Sequence, residues 1–171
     1  MNRAIATISA AAFVGCILLA NYVTTEYGMV PVGFGLVATA GTYFAGLTFV
    51  LRDTVQDGFG KVATLGLIVA SALLSYLIAD PFIALASGVA FLASETADLL
   101  IYTPLRRRGY VRAALASNLA GTFVDTFLFL WVAGFPIAGA WQGQVVGKLT
   151  VTAIAVGLVL AVRTARRGVT A

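Results

Sequence analysis

The sequence predicts an all-α integral membrane protein, a bundle of six transmembrane helices with both termini in the cytoplasm. Three observations carry this expectation. Of 171 residues, 60% are hydrophobic and 11% charged, and the mean hydropathy is +0.97, far from the average soluble domain. Apolar runs of about 20 residues, the length that crosses a bilayer core, recur along the whole chain with no polar domain appended. The basic residues also fall on one side of the resulting topology.

The spans are expected at about 4–23, 30–51, 61–79, 82–105, 112–134 and 141–163, joined by short links within one domain. The first follows Met-Asn-Arg and resembles a signal peptide, but its apolar stretch runs to Tyr22, too long for a typical signal core. Ala6 and Ala10 give it a small-xxx-small face for close packing, and Gly143-x-x-x-Gly147 gives the sixth span a better one. Pro31 and Pro81 stand near the starts of the second and fourth spans, where a missing N–H costs nothing, and Pro136 stands just beyond the fifth. With this layout the inner side holds Arg3, Arg52, Lys61, Arg106, Arg107, Arg108, Arg112, Arg163, Arg166 and Arg167, and the outer loops hold no Lys or Arg. Such an asymmetry fixes both termini inside. The net charge of +4 is therefore a topology signal rather than a nucleic-acid patch. No internal repeat of the kind that builds inverted-repeat transporters is visible.

Cys16 has no partner in the chain, so no intrachain disulfide forms. Histidine is absent, and one cysteine supplies no soft ligand set, so no metal or cofactor is expected. No nucleophile–base set is visible, and an enzyme is not expected.

Three consecutive spans each carry polar groups that lipid would not accept. On the fifth, Asn118, Gly121, Thr122 and Asp125 recur at i, i+3, i+4 and i+7 and share a face. The fourth carries Glu95 and Asp98 with Ser94 beside them and Tyr102 one turn on. The sixth carries Gln144, Lys148 and Thr152 at fourfold spacing. The simplest arrangement points these faces at one another around a common cavity. At about 1.5 Å of rise per residue, Asp125 and Lys148 lie roughly 13 and 11 Å from the outer side, level enough for an ion pair. Glu95, Thr122 and Thr42 lie roughly 18–20 Å deep, and Asp98 and Asn118 roughly 24 Å. On this layout Glu95 and Asp98 have no intramembrane cation. They are then protonated, near inner water, or open to a ligand that donates hydrogen bonds. The alternative reading is structural: Asp125 and Lys148 hold two helices in register, Asp98 snorkels toward Arg106 and Arg107, and Thr42 and Asn118 serve helix packing.

Four segments, taken together and in order, resemble a known family. They are Leu51-Arg-Asp-Thr-Val-Gln-Asp-Gly-Phe-Gly60 after Ala-Gly-Thr42, Ser94-Glu-Thr-Ala-Asp-Leu-Leu-Ile-Tyr-Thr-Pro-Leu105, Ser117-Asn-x-x-Gly-x-x-x-Asp125-Thr-x-x-Phe129, and Lys148 in the last span. The chain resembles the VUT family of vitamin uptake transporters, also called queuosine-precursor transporters, over roughly residues 30–160. It departs in its short outer loops and in reading Tyr43-Phe44-Ala45 near the end of the Ala-Gly-Thr segment. The resemblance implies a six-helix inner-membrane importer of a 7-deazaguanine, with a fold related to the substrate-binding subunits of energy-coupling-factor transporters. It carries over Asp53 and Gly60 in the inner loop, Glu95 and Asp98, Asn118 and Asp125, and Lys148. A carboxylate such as Glu95 or Asp98 suits the adjacent N1–H and amine donors of the base, Asn or Gln its O6, and Phe91, Tyr102, Phe127 or Phe44 its flat ring. The partners so implied are the purine-like base and the lipid bilayer. No Walker motif is present, so ATP use requires a second, energising protein. Self-association is the other assembly left open, and a non-transporting membrane scaffold or a carrier of another small solute are the alternatives in function.

The topology has a direct check. A fluorescent protein fused behind Ala171 is expected to fluoresce in cells and a periplasm-dependent phosphatase fused there to stay inactive; the opposite pair of results inverts the orientation.

Overall fold

The computed structural model describes residues 3–105, 107 and 110–169. Arg106 and Arg108, and the side chains of Tyr102, Arg112, Arg163, Arg166 and Arg167, lie outside the described residues. The elements run α1 (Arg3–Tyr27), β1 (Met29–Gly33), β2 (Leu36–Thr39), α2 (Thr42–Phe59), α3 (Lys61–Ser75), α4 (Pro81–Leu105), α5 (Tyr110–Val132) and α6 (Ile137–Val169). Helices therefore stand where five of the six expected spans were placed. By length and composition, α1 is long and apolar enough to cross a membrane, while α3 and residues 116–132 are apolar but shorter.

The second expected span is corrected. Residues 29–39 form an antiparallel hairpin, with Val30 opposite Ala38 and Pro31 opposite Val37, and the helix begins only at Thr42. β-Branched residues flank Gly-Phe-Gly, whose members all take positive φ, 93°, 54° and 72°; two of the three are glycines, which accept that conformation without strain. Pro31 sits in a strand rather than at a helix start, tolerated because a two-stranded sheet is all edge. The hairpin consumes ten residues of the expected span, so α2 slides along the sequence and draws Arg52 into its interior.

Local chemistry sets the other boundaries. Gly60, at φ 82°, ends α2 by donating to the Gln56 carbonyl and starts α3. Asp80 caps α4, its Oδ1 accepting from Phe82 N at 2.8 Å and Ile83 N at 3.2 Å, with Pro81 in the first helical position, where no N–H is needed. Phe13 and Ile17 of α1, Val55 of α2, Ile68 of α3 and Phe91 of α4 form the apolar core. The most extensive helix pairing is α4 with α5, and α6 closes the bundle against α2 and β2.

Small residues make that last closure. A Cβ on Gly143 would stand 2.1 Å from the Val37 carbonyl oxygen, and one on Gly147 2.7 Å from Thr42 Cγ2. The Gly-x-x-x-Gly face is thus a packing face, and its partners are the hairpin and α2. On the opposing side, a Cβ on Gly46 would stand 2.8 Å from the Lys148 carbonyl oxygen. Gly143→Ala is expected to cost about 1–3 kcal/mol through overpacking, read as a lowered Tm in detergent. Gly139→Ala, four residues earlier with nothing within 4 Å of its added Cβ, should leave Tm unchanged or slightly raised.

Candidate functional site

The polar faces of α5 and α6 converge on one cavity, in a rotated register, while the α4 groups Glu95 and Asp98 stay outside it. On α5 the buried residues among those described are Ser117, Gly121, Thr122, Asp125, Thr126 and Leu130, so the seam turns inward with Ser117, while Asn118 is exposed. The Asn118 backbone carbonyl accepts the Thr122 hydroxyl at 2.8 Å, a bond within the helix that leaves Thr122 as a packing group.

Asp125 and Lys148 meet as their levels predicted. Lys148 Nζ lies 2.6 Å from Asp125 Oδ2 and 3.1 Å from Thr126 Oγ1, and the lysine is only 2% exposed. One ammonium N–H and Asp125 Oδ1 are left without a partner among the described residues. One turn earlier on α6, Gln144 Nε2 donates to Thr39 Oγ1 at 2.9 Å, and Thr39 in turn shares a hydrogen bond with Thr42 at 3.2 Å. Thr42 therefore stands at the first turn of α2, close to Gln144, rather than in the middle of a helix, because the hairpin takes the residues before it. Thr24 Oγ1 accepts from Gly41 N at 3.0 Å, and Asn21 Nδ2 donates to Ser75 Oγ at 2.8 Å.

These groups surround a cavity of about 40 Å³. Its polar wall includes Asn21, Thr24, Thr42, Asp125, Gln144 and Lys148, and its aromatic wall Phe49, Phe91 and Phe129. A few water molecules fit, at roughly 10–15 Å³ each, whereas an apolar cavity that takes a benzene is about 150 Å³. The bundle must part somewhat before a flat ring enters.

The expectation that Glu95 and Asp98 lack a cation is overturned for Glu95. Arg52, 6% exposed, is buried on α2 and its Nη1 donates to Glu95 Oε1. The same guanidinium binds Asp53 Oδ1 through Nε at 3.0 Å and Nη2 at 2.7 Å. The sequence layout puts Arg52 in an inner loop; the start of α2 at Thr42 is what brings it inside the bundle. Asp53 itself is exposed, as is Gly60. Asp98 is half-buried near Glu95 and has no ion-pair partner among the described residues. Glu95, Asp98, Asn118 and Thr122 do not line the cavity; Thr42, Asp125 and Lys148 do. Of the ring candidates, Phe91 lines it, Phe44 is half-buried, and Phe127 packs outside with Phe123 and Trp141. Sequence reasoning does not single out Asn21, Thr24 and Thr39, because scattered polar residues in apolar runs carry no periodic signal.

The central pair invites a double-mutant cycle. Lys148→Met or Asp125→Leu alone leaves a buried charge unpaired and is expected to cost about 3–5 kcal/mol, whereas the double replacement should cost far less than the sum. Denaturation in detergent reads all four forms; additive losses would show that the two groups do not act as a pair.

The curated proteins and the solved structures contain no match to the chain. A family model described as putative vitamin uptake transporter matches residues 79–164. That stretch spans α4, α5 and most of α6, including Asp125, Gln144 and Lys148. A transporter family of this kind acts in a membrane on small molecules. The chain belongs to the putative vitamin uptake transporter family.

Proposed function

We propose that this protein is a multi-pass membrane importer or substrate-capture protein for a queuosine precursor, 7-cyano-7-deazaguanine or its aminomethyl relative. The observation that carries the reading is the Asp125–Lys148 pair at the wall of the cavity. A guanine-like edge offers two adjacent donors, N1–H and the exocyclic amine, and one acceptor, O6. A carboxylate with an oxygen to spare accepts from the donors, and an ammonium with an N–H to spare donates to O6. Asp125 and Lys148 supply both in one place, and Phe49, Phe91 and Phe129 supply apolar faces for the ring. Gln144 and Thr42 border the same space.

In this reading the carboxylate on α5 reads the base. Glu95 acts from behind the cavity wall, where it is engaged by Arg52. The six helices span the bilayer with the hairpin on the outer side, and the cavity lies in the outer half. A second reading is favoured by the pairing of the buried charges, Lys148 with Asp125 and Arg52 with Glu95, which a non-transporting scaffold would use to hold helices together.

Equilibrium binding to detergent-purified protein separates the two. 7-Cyano-7-deazaguanine and the aminomethyl analogue are expected to bind, and adenine, whose edge presents an acceptor where guanine presents N1–H, is expected not to. Asp125→Asn should weaken binding at least about tenfold, the worth of one charge-assisted hydrogen bond of about 1.5–3 kcal/mol. Absence of binding by every deazaguanine to folded protein would overturn the substrate and bring the scaffold, or a different solute, forward.

A further inference from the structure

This inference rests on the uptake reading and concerns how the site is closed toward the cytoplasm. Beneath the cavity α2 and α4 are joined by two layers in matched register. Phe49 and Phe91, both in the cavity wall, stack with ring centroids 5.8 Å apart and planes 21° from parallel. Three residues further along α2 and four along α4 come Arg52 and Glu95. The Arg52 guanidinium carbon lies 5.6 Å from the centroid of the Phe49 ring, and its Nη1 donates to Glu95. The aromatic floor of the cavity is thus backed by an ion pair directly under it.

The pair also joins a buried face of α2 to an exposed one: the Arg52 side chain is 7% exposed, and that of its neighbour Asp53, on the next face of the helix, is 61% exposed. We propose that Phe49–Phe91 and Arg52–Glu95 form the inner gate of the cavity, closed in this structure and opened by parting α2 from α4.

The hydrogen bonds favour that motion. A buried guanidinium stripped of its counterion is strongly disfavoured, but Arg52 has two. The bond to Glu95 crosses between helices, while the bonds to Asp53 stay within α2 and travel with it. Parting the helices breaks the first and keeps the second, so Arg52 is never bare. Glu95 is released toward the space that water enters, where its charge is again solvated. The ion pair selects the closed state without making it permanent, as a two-state element requires.

The test uses thiol accessibility and needs no substrate. In a Cys16→Ala background, Ser87→Cys places a single thiol in the cavity wall of α4. A membrane-impermeant thiol reagent is applied to inside-out and to right-side-out vesicles. Arg52→Gln and Glu95→Gln are each expected to raise the rate of labelling from the cytoplasmic side at least tenfold and leave the outer rate within about twofold. The exchange Arg52→Glu with Glu95→Arg should return protection. Unchanged cytoplasmic labelling in both single variants overturns the gate. If either neutral variant loses its thermal unfolding transition, Arg52→Lys is read instead: it keeps the charge but loses the fork that spans Asp53 and Glu95. An intermediate rise supports the gate and no rise overturns it. If labelling rises as expected while no deazaguanine binds, the gate stands and the substrate reading falls. If the base binds and labelling does not change, the gate alone falls.

Discussion

The ion pair between Lys148 and Asp125 is the constraint on which the packing of α5 against α6 depends. A lysine 2% exposed has no bulk water to turn to, only a cavity with room for a few waters, so α5 must present its carboxylate beside it. Fixing α5 against α6 at one level also fixes what lies on either side. Gln144, one turn away, then reaches Thr39 at the root of the hairpin, and Thr152, one turn the other way, donates to the Gly46 carbonyl at 3.2 Å. The face that begins as a charge pair ends by holding α2 in place.

Much of this was legible in the sequence, and the reason differs from element to element. The fourfold spacing of Gln144, Lys148 and Thr152 survives folding because a helix keeps its own period whatever it packs against. The levels of Asp125 and Lys148 were readable because helical rise is constant. The hairpin was not readable from hydropathy, since Met29–Gly33 and Leu36–Thr39 are as apolar as a helix would be. The signals lay in conformation: valines on both sides, a proline, and glycines flanking one exposed phenylalanine. Asn118 shows a smaller failure of the same kind. Periodicity identifies which residues share a face but leaves its rotation free by one residue, and tertiary packing chose Ser117 for the inside.

Arg52 is where one misplaced boundary had the largest chemical effect. Counted as a loop residue it was a marker of orientation, and Glu95 was a carboxylate without a cation. Placed ten residues into a helix that begins at Thr42, it becomes the partner of that carboxylate. A charge in a membrane protein is informative only together with its depth, and depth is set by the start of the helix that carries it. The hairpin, which looks like a detail of the connection between α1 and α2, therefore decides the electrostatics around Arg52, well along α2.

The docking of that hairpin also sets what the chain can tolerate by substitution. Gly143 meets the backbone carbonyl of Val37 first and a Val32 methyl only behind it, so the closest fit between hairpin and α6 concerns the path of the main chain. The turn itself projects outward, with Phe34 95% exposed. The exposed Phe34 side chain is free to change in polarity without disturbing the fit, while Gly33 and Gly35 on either side of it, at φ 93° and 72°, and Gly143 beneath are not. The tip of the hairpin is in this sense a replaceable side chain on a fixed frame, and variants with new surface chemistry at Phe34 inherit the cavity intact.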